Sequence, residues 1–257
     1  QKNQWLPKIA GGECVIGVGL SEYVGAREDA GIEFSNGKLS GRSLFLIDGK
    51  NADAYLLANK SGELFLIEAS SPGIEVIELT TVDKTRTSIE LILKDVNADL
   101  LSGSSDKSVI EKVLDAGRIM LAADTVGAAQ VMLDKSVAYS LERKQFGRLI
   151  GSFQAVKHMC AEMAAELEPC HSMIWHAAHC FDNVPEEARL MACQTKAHIS
   201  EVCQQVSKTA TEVHGGMGFT DELGLHYWFK RIGLNKQLLG SPELIREEAG
   251  KLQGFDQ

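Results

Sequence analysis

The sequence predicts an α+β protein in which a β domain, residues 1–103, precedes a helical bundle, residues 104–257. Two observations support this division. The first hundred residues contain short segments rich in Val, Ile, Leu and Phe, with turn sequences about every ten residues. Beyond the polar segment 102–106, the apolar residues recur at helical spacing instead. The change of period therefore marks the boundary between two domains.

Six segments of the first domain are predicted strands. Turn sequences such as Ser35-Asn36-Gly37 and Ser71-Pro72-Gly73 separate them. In the last segment Ile89, Leu91 and Leu93 occupy alternate positions, which predicts a strand with one buried face. The predicted strands are Cys14–Leu20, Lys38–Ile47, Ala54–Ala58, Leu64–Glu68, Glu75–Leu79 and Ser88–Lys94.

Helical periodicity predicts three long helices and two shorter ones. The first spans Lys107 to Glu142, and the second contains Pro169, which is expected to kink or interrupt it. The third ends at His214, ahead of a glycine-rich segment. The helices after the first are predicted to start near Ser152, Pro185, Thr220 and Ser241.

Composition limits the functional classes. The chain has 44% hydrophobic and 24% charged residues, as expected for a soluble globular protein, and a formal net charge of −9, which disfavours nucleic acid binding. No apolar run approaches the roughly 20 residues that span a bilayer. The start lacks an initiator Met and a signal peptide, so the sequence is interpreted as part of a longer, cytoplasmic bacterial protein, with a mitochondrial matrix protein as the alternative.

The six cysteines form no CxxC pair, so the usual spacing of a zinc or iron–sulfur site is missing. Five of them lie in predicted helices and are expected to be small buried residues. His171, His176 and Cys180 could be metal ligands by type, but without such a spacing we predict no metal site.

The first motif with chemical content follows the first long helix. An arginine at a helix end, Arg143, can present its planar guanidinium to a pyrophosphate. Gln145 can donate to phosphate or ribose oxygens, and Phe146 offers an apolar face to a ring system. A capped helix end followed by a loop is the alternative interpretation.

The second motif, residues 214–219, contains Gly215, Gly216 and Gly218 between two predicted helices. Glycines let the backbone approach a bulky ligand closely, although an ordinary glycine-rich turn has the same composition. A third motif, Trp5 to Glu13, leads into a segment that contains Ser21.

In this order and at these separations the three motifs resemble the acyl-CoA dehydrogenase family. The resemblance extends from Trp5 to about Leu252, and the segment from Arg143 to Gly147 with the downstream Ser152 to Ala155 is its most specific marker. Family members have an N-terminal helical domain, a β-barrel-like middle domain and a C-terminal four-helix bundle. The resemblance implies that the first of these is absent from this sequence.

The resemblance also implies FAD as the cofactor and an oligomer, a homo- or hetero-dimer or tetramer, in which two chains share each site. Arg143 would bind the pyrophosphate of a neighbouring subunit's flavin, and Ser21 would approach the flavin ring. The substrate would be an acyl-CoA thioester and the electron acceptor an electron-transfer flavoprotein. The other implied cofactor residues are Gln145, Phe146, Gln154, Glu212, Gly215 and Gly216.

The family's catalytic base is missing. Most members place a Glu directly before the Gly-Thr that corresponds to Gly240-Ser241, where this chain has Leu239. A minority place it at the position of Gly117. Asp124 lies seven residues from Gly117, on the same helix face, and is the candidate for an unusual base. Glu243, in the first turn of a helix, is interpreted as a partner of the helix dipole.

The β domain also departs from the family pattern. Where members have Trp-Ile-Thr or Trp-Ile-Ser beside the flavin, this chain has Phe45-Leu46-Ile47, and Ile47 has no hydroxyl to donate. The family's Glu-Pro-Gly-Ala-Gly-Ser loop is replaced by Glu22 to Arg27.

Three hypotheses follow. The favoured one is a subunit of a heteromeric acyl-CoA dehydrogenase for bulky esters such as sterol side chains, with the catalytic Glu on a partner chain. The second is a homo-oligomeric enzyme that uses Asp124. The third is a structural or interaction subunit of the same fold without a redox role.

Overall fold

A computed structural model describes residues 2–25 and 30–255. It contains two compact units, Gln1–Val113 and Leu114–Gln257. The first holds a mixed β sheet and the second is helical, which confirms the predicted α+β class. The division lies inside α3 (Lys107–Glu142) because the start of this helix packs within the first unit: Ile110 is fully buried and lies close to Gly62, in a turn between two strands.

Eight strands of the first unit form one sheet in the order β6-β7-β3-β1-β4-β5-β8, with β2 beside β3. Among the described ladders β1 and β4 are parallel and the others antiparallel. No described ladder joins β6 to β8, so this part of the chain shows an open sheet. The elements are α1 (Lys2–Ala10), β1 (Ile16–Gly19), α2 (Ser21–Val24), β2 (Gly31–Ser35), β3 (Lys38–Ile47), β4 (Ala54–Ala58), β5 (Leu64–Glu68), β6 (Ile74–Leu79), β7 (Ser88–Asn97) and β8 (Asp99–Leu100).

The predicted apolar face of β7 is confirmed. Ile89 and Leu91 are fully buried and Leu93 is 2% exposed. The opposite face is covered at its start, since Glu90 is only 8% exposed and its carboxylate lies 2.9 Å from Nε of Arg42, but Lys94 further along is exposed. The alternation therefore identifies the buried face, while the other face reaches solvent only towards the end of the predicted segment.

The helical unit has a core to which α3, α4, α5 and α6 all contribute, including Val126, Met163, Cys203 and Ile232. Of the five helical cysteines four are buried and Cys160 is half-buried, in agreement with their interpretation as small core residues. The elements after α3 are β9 (Lys144–Gln145), β10 (Arg148–Leu149), α4 (Gln154–Asn183), α5 (Pro185–His214), α6 (Leu225–Gln237) and α7 (Pro242–Leu252).

The helix α4 runs without a break through Pro169, so the expected interruption at this residue is wrong. Proline removes the hydrogen bond to the carbonyl four residues earlier. That carbonyl belongs to Ala165, and both residues are exposed, so water can replace the lost donor.

The helix starts follow local chemistry. Pro185 occupies the first turn of α5, and Ser241 caps α7 by accepting the Leu244 N–H at 3.4 Å. The start of α6 is Leu225, not Thr220, because residues 215–219 form a short 3₁₀ turn and Gly224 then takes a left-handed conformation. No helix among the described residues is long and apolar enough to cross a membrane.

Candidate functional site

Arg143 directly follows α3, and the hairpin of β9 and β10 begins after it. The two residues at the tip, Phe146 and Gly147, have φ of 51° and 76°, as a tight two-residue hairpin turn requires. Phe146 is 92% exposed, and Arg143, Gln145 and Gln154 are exposed as well. The four predicted cofactor residues of this segment are therefore available to a ligand or another chain.

The hairpin is fixed to the helices at its base. The Ile150 N–H donates to the Arg143 carbonyl at 2.8 Å. The Arg148 guanidinium lies over the Phe153 ring, 3.9 Å from its centroid. A Cβ on Gly151 would lie 2.8 Å from the Ser140 carbonyl oxygen, so this glycine lets the chain after the hairpin pass close to α3.

The glycine-rich segment lies at the same end of the helical unit. The ring of Tyr139, one turn before Arg143, stacks on buried His214 with centroids 4.6 Å apart. A Cβ on Gly215 or Gly216 would meet no atom within 4 Å. The structure thus brings together two predicted motifs that are far apart in sequence, and leaves the backbone at these glycines open.

The remaining predicted cofactor residues have different surroundings. Glu212 is exposed on the last turn of α5. Gly218, a glycine of the same motif that was not assigned to the cofactor, is buried, and a Cβ there would lie 2.6 Å from the Thr211 carbonyl oxygen, which gives this glycine a packing role. Ser21 belongs to the other unit, where it begins α2 and is partly buried.

The two vacant base positions face each other. A Cβ on Gly117 of α3 would lie 2.5 Å from Cδ1 of Leu239, which follows α6. Leu239 has φ of 57°, and its carbonyl accepts from Nε of Arg118 at 3.2 Å. The space in front of Gly117 is therefore filled by a hydrocarbon side chain where the family pattern has a carboxylate.

Two carboxylates that pair with Arg118, the residue after Gly117, form a network with arginines. Arg118 is 2% exposed and donates to Glu248 Oε2 at 2.8 Å and to Cys193 Sγ at 3.2 Å. Asp115 lies 3.9 Å from Arg118, and Arg189 pairs with both acids. Burial alone would raise the pKa of Glu248, but Arg118 and Arg189 outweigh burial and hold the pKa below its ordinary value. This network was not predicted, although the spacing of Asp115 and Arg118 on one helix is a signal for it.

Asp124 is held in a structural pair. Its carboxylate accepts from Nε and Nη2 of Arg231 at 2.8 and 2.7 Å, and from Nδ2 of Asn235 at 2.6 Å. These hydrogen bonds occupy both carboxylate oxygens and hold the side chain against α6. The geometry therefore favours a structural Asp124 over the catalytic base considered from sequence.

Comparison with known proteins shows the family of the chain. The family model of the acyl-CoA dehydrogenase C-terminal domain matches residues 107–251, more than half of the chain. The probable acyl-CoA dehydrogenase YngJ of Bacillus subtilis is 30% identical over 268 residues, which cover 96% of this chain and 70% of YngJ. The chain belongs to the acyl-CoA dehydrogenase family.

Two other members add detail. CarC, a subunit of the caffeyl-CoA reductase–Etf complex of Acetobacterium woodii, is 40% identical over 111 residues, which cover 43% of this chain and 29% of CarC. The solved structure of a G363A variant of the Tcur3481–Tcur3483 steroid acyl-CoA dehydrogenase has a TM-score of 0.86 and 25% identity, covering 99% of this chain and 71% of the other. The chain thus spans only part of the length of these family members.

Two segments of the β unit depart from the family pattern in sequence, and the structure describes their surroundings in part. Phe45 is 49% exposed and has φ of 53°, at a register shift between Ser43 and Leu46. Buried Glu22 accepts the Leu44 N–H at 2.6 Å beside this bulge, and burial raises the pKa of Glu22 despite that hydrogen bond. Ala26 and Arg27, in the altered loop, lie outside the described residues.

Lys196 supports the segment that carries Leu239. This buried side chain of α5 donates to the carbonyl oxygens of Asn235 and Lys236 at 2.7 and 3.3 Å, in the last turn of α6. It also donates to Ser200 Oγ at 3.1 Å. Burial lowers the pKa of Lys196 to about 7, with smaller contributions from the charges of Arg118 and Lys236.

This pKa predicts a pH dependence of stability. Between pH about 7 and about 10.5, Lys196 is protonated in the unfolded chain and largely neutral in the folded chain. The free energy of unfolding should therefore rise as the pH increases through this range, and fall as the pH decreases towards 7. The expected gain from pH about 7 to about 8.5 is on the order of 2 kcal/mol. Urea unfolding of the native protein and of Lys196→Met at these pH values measures it. The variant should lack this rise, and equal slopes in the two proteins would contradict the assignment.

Proposed function

We propose that this chain is an FAD-binding subunit of an acyl-CoA dehydrogenase, which forms the α,β double bond of an acyl-CoA thioester with a Glu supplied by a partner subunit. One observation carries the proposal. Gly117 and Leu239 occupy the two positions at which the family pattern has its base, they lie close together, and neither has a carboxylate. Asp115, Glu248 and Asp124 are engaged by arginines and are poor substitutes.

The residues of the helical unit fit the pyrophosphate and adenosine portions of FAD. Arg143 is exposed and can offer two parallel N–H donors to a diphosphate, with Gln145 and Gln154 as further donors. The open backbone at Gly215 and Gly216 accommodates a close approach of the nucleotide, with Glu212 and Phe146 beside it in this assignment. The chemistry that bound FAD supplies in this proposal is acceptance of a hydride from the substrate.

The fit is weaker in the β unit. Ile47 cannot donate to the flavin ring, so Ser21 is the remaining hydroxyl that the proposal assigns to it. This departure favours one second candidate, a subunit of the same fold that binds no flavin and serves assembly alone. The homo-oligomeric enzyme with Asp124 as base has less support because Arg231 and Asn235 hold that carboxylate.

Relatives suggest the finer assignments. The name of CarC places it in a complex with Etf, and we assign an electron-transfer flavoprotein as the electron acceptor here. The name of the steroid acyl-CoA dehydrogenase contains two gene products, Tcur3481 and Tcur3483. It supports our assignment of this chain to a heteromeric enzyme for a bulky acyl-CoA. In this proposal the helical unit forms the family's four-helix bundle, the sheet its barrel-like domain, and the oligomer acts in the cytoplasm.

Co-expression tests the proposal. The gene product should carry little flavin and show no acyl-CoA dehydrogenase turnover alone, and should gain flavin absorbance and turnover when co-purified with the product of a neighbouring dehydrogenase gene. Replacing the base Glu of that partner with Gln should abolish turnover and leave the flavin spectrum intact. Full turnover by the purified homomer would reject the partner-supplied base. Colourless complexes with every partner would support the assembly subunit instead.

A further inference from the structure

The junction of α4 and α5 brings three metal-ligating side chains together. A single residue, Val184, joins the two helices. His176 and Cys180 lie one turn apart in the last two turns of α4, and Glu187 lies in the first turn of α5. The ligating atoms of these three residues all lie within 4.8 Å of one another.

The nitrogen and sulfur atoms lie close enough together for one ion to reach both. Nε2 of His176 lies 3.7 Å from Sγ of Cys180. Zinc bonds of about 2.3 Å to sulfur and about 2.0 Å to nitrogen at a tetrahedral angle place these atoms about 3.5 Å apart. Because Sγ of Cys180 also lies 4.0 Å from Nδ1, the sulfur is beside the imidazole ring. A rotation of the exposed His176 ring that turns Nε2 towards the ion, with an adjustment of the long Glu187 side chain, would let one ion bind all three.

The surroundings suit a divalent cation. Cys180 is buried, whereas His176 and Glu187 are exposed, so the cluster combines a fixed thiol with an open side for a water ligand. The carboxylates of Glu187 and Glu186 lie close enough to Cys180 for their negative charges to interact electrostatically with its thiol. The C-terminal end of α4 also favours positive charge, while the N-terminal end of α5 opposes it. The two carboxylates offset that opposition.

We propose that His176, Cys180 and Glu187 form a site for Zn²⁺ or a similar borderline-soft divalent cation, with water as the fourth ligand. Thiolate, imidazole and carboxylate are the donors that zinc takes in proteins. None of the three belongs to the flavin or base positions, so the site would serve to fix the α4–α5 junction. The sequence alone did not indicate this, because the third ligand comes from another helix. His171, the other candidate by sequence, lies outside the cluster.

Cobalt titration tests the site. The chelator-treated, reduced full chain should bind one equivalent of Co²⁺ with a thiolate-to-cobalt charge-transfer band, and Zn²⁺ should displace it. Cys180→Ser should remove the band, and His176→Asn and Glu187→Gln should each weaken binding at least tenfold. Cys160→Ser and His179→Asn, on the same helix but outside the cluster, should leave binding unchanged.

Glu187→Gln distinguishes a metal site from a hydrogen-bonded pair and from loss of folding. This residue is exposed, so the variant should fold even if Cys180→Ser does not. A simple thiol–imidazole hydrogen bond between Cys180 and His176 would not involve Glu187. Absence of the charge-transfer band at millimolar cobalt, or a binding constant unaffected by Glu187→Gln and His176→Asn, would overturn the proposal.

Discussion

Replacing Arg118 with Met is expected to lower the free energy of unfolding by about 3–5 kcal/mol, the cost of removing one partner from a buried ion pair. The guanidinium is 2% exposed and donates hydrogen bonds to Glu248, to Cys193 and to the Leu239 carbonyl. Without it, Asp115 and Glu248 would lose a shared cation, and Arg189 would be left to pair with both carboxylates in this largely buried network. The methionine fills the volume but replaces no hydrogen bond.

The matched control is Arg246→Met. Arg246 pairs with Glu201, but both side chains are almost half exposed, so this change should cost roughly 0–1 kcal/mol. Urea unfolding midpoints of the two variants, compared at an unchanged m value, give the difference. Glu248→Gln should fall between them, because the amide keeps an acceptor for Arg118. Equal and small losses for Arg118→Met and Arg246→Met would show that the network contributes little.

Local sequence rules were sufficient for most helices and strands. The limits of β4 and β5, of α3, and the starts of α5 and α7 agree with the predictions, because turn residues, caps and periodicity act within a few positions. The elements α1, α2, β2 and β8 were not predicted. With four and two residues, α2 and β8 are too short to show a period, whereas β2 is as long as the predicted β4 and β5 and was missed. The strand order and the parallel pairing of β1 with β4 depend on contacts between distant segments that a local pattern does not contain.

The candidate site divides in the same way. Arg143 and the two open glycines were predicted, because a helix end and a glycine cluster are local features. Their proximity was not, because it depends on the stacking of Tyr139 on His214. The absence of a base at Gly117 and Leu239 is visible in the sequence, but only the structure shows that one of these residues fills the space in front of the other. The pairing of Asp124 with Arg231 was not predicted either, because it joins α3 to α6, which is far along the chain.

In the flavin-bearing complex of the proposed function, Arg143→Ala is expected to weaken FAD binding by about 10- to 100-fold, the effect of losing a charge-assisted hydrogen-bonding group of about 1.5–3 kcal/mol. Lys144→Ala, at the next residue along the chain, removes the same charge and should change affinity far less, because an ammonium lacks the planar fork that the proposal assigns to the pyrophosphate. Arg143→Lys should remain weaker than the native protein, since an ammonium lacks the planar fork. Flavin retained on dilution or after dialysis, read from the visible absorbance of each variant, measures the change.

The exposure of Arg143 is what this prediction requires. A guanidinium that completes a neighbour's cofactor site has no partner of its own to bury it, and the hairpin holds its backbone in place through the Ile150 N–H while the side chain extends outward. The loss should therefore appear as flavin release with an unchanged unfolding midpoint of the flavin-free chain. If Arg143→Ala and Lys144→Ala lowered flavin content equally, general charge would explain the attraction. If neither lowered it, Arg143 would have no role at the cofactor, and the assignment of the hairpin as a pyrophosphate site would be wrong.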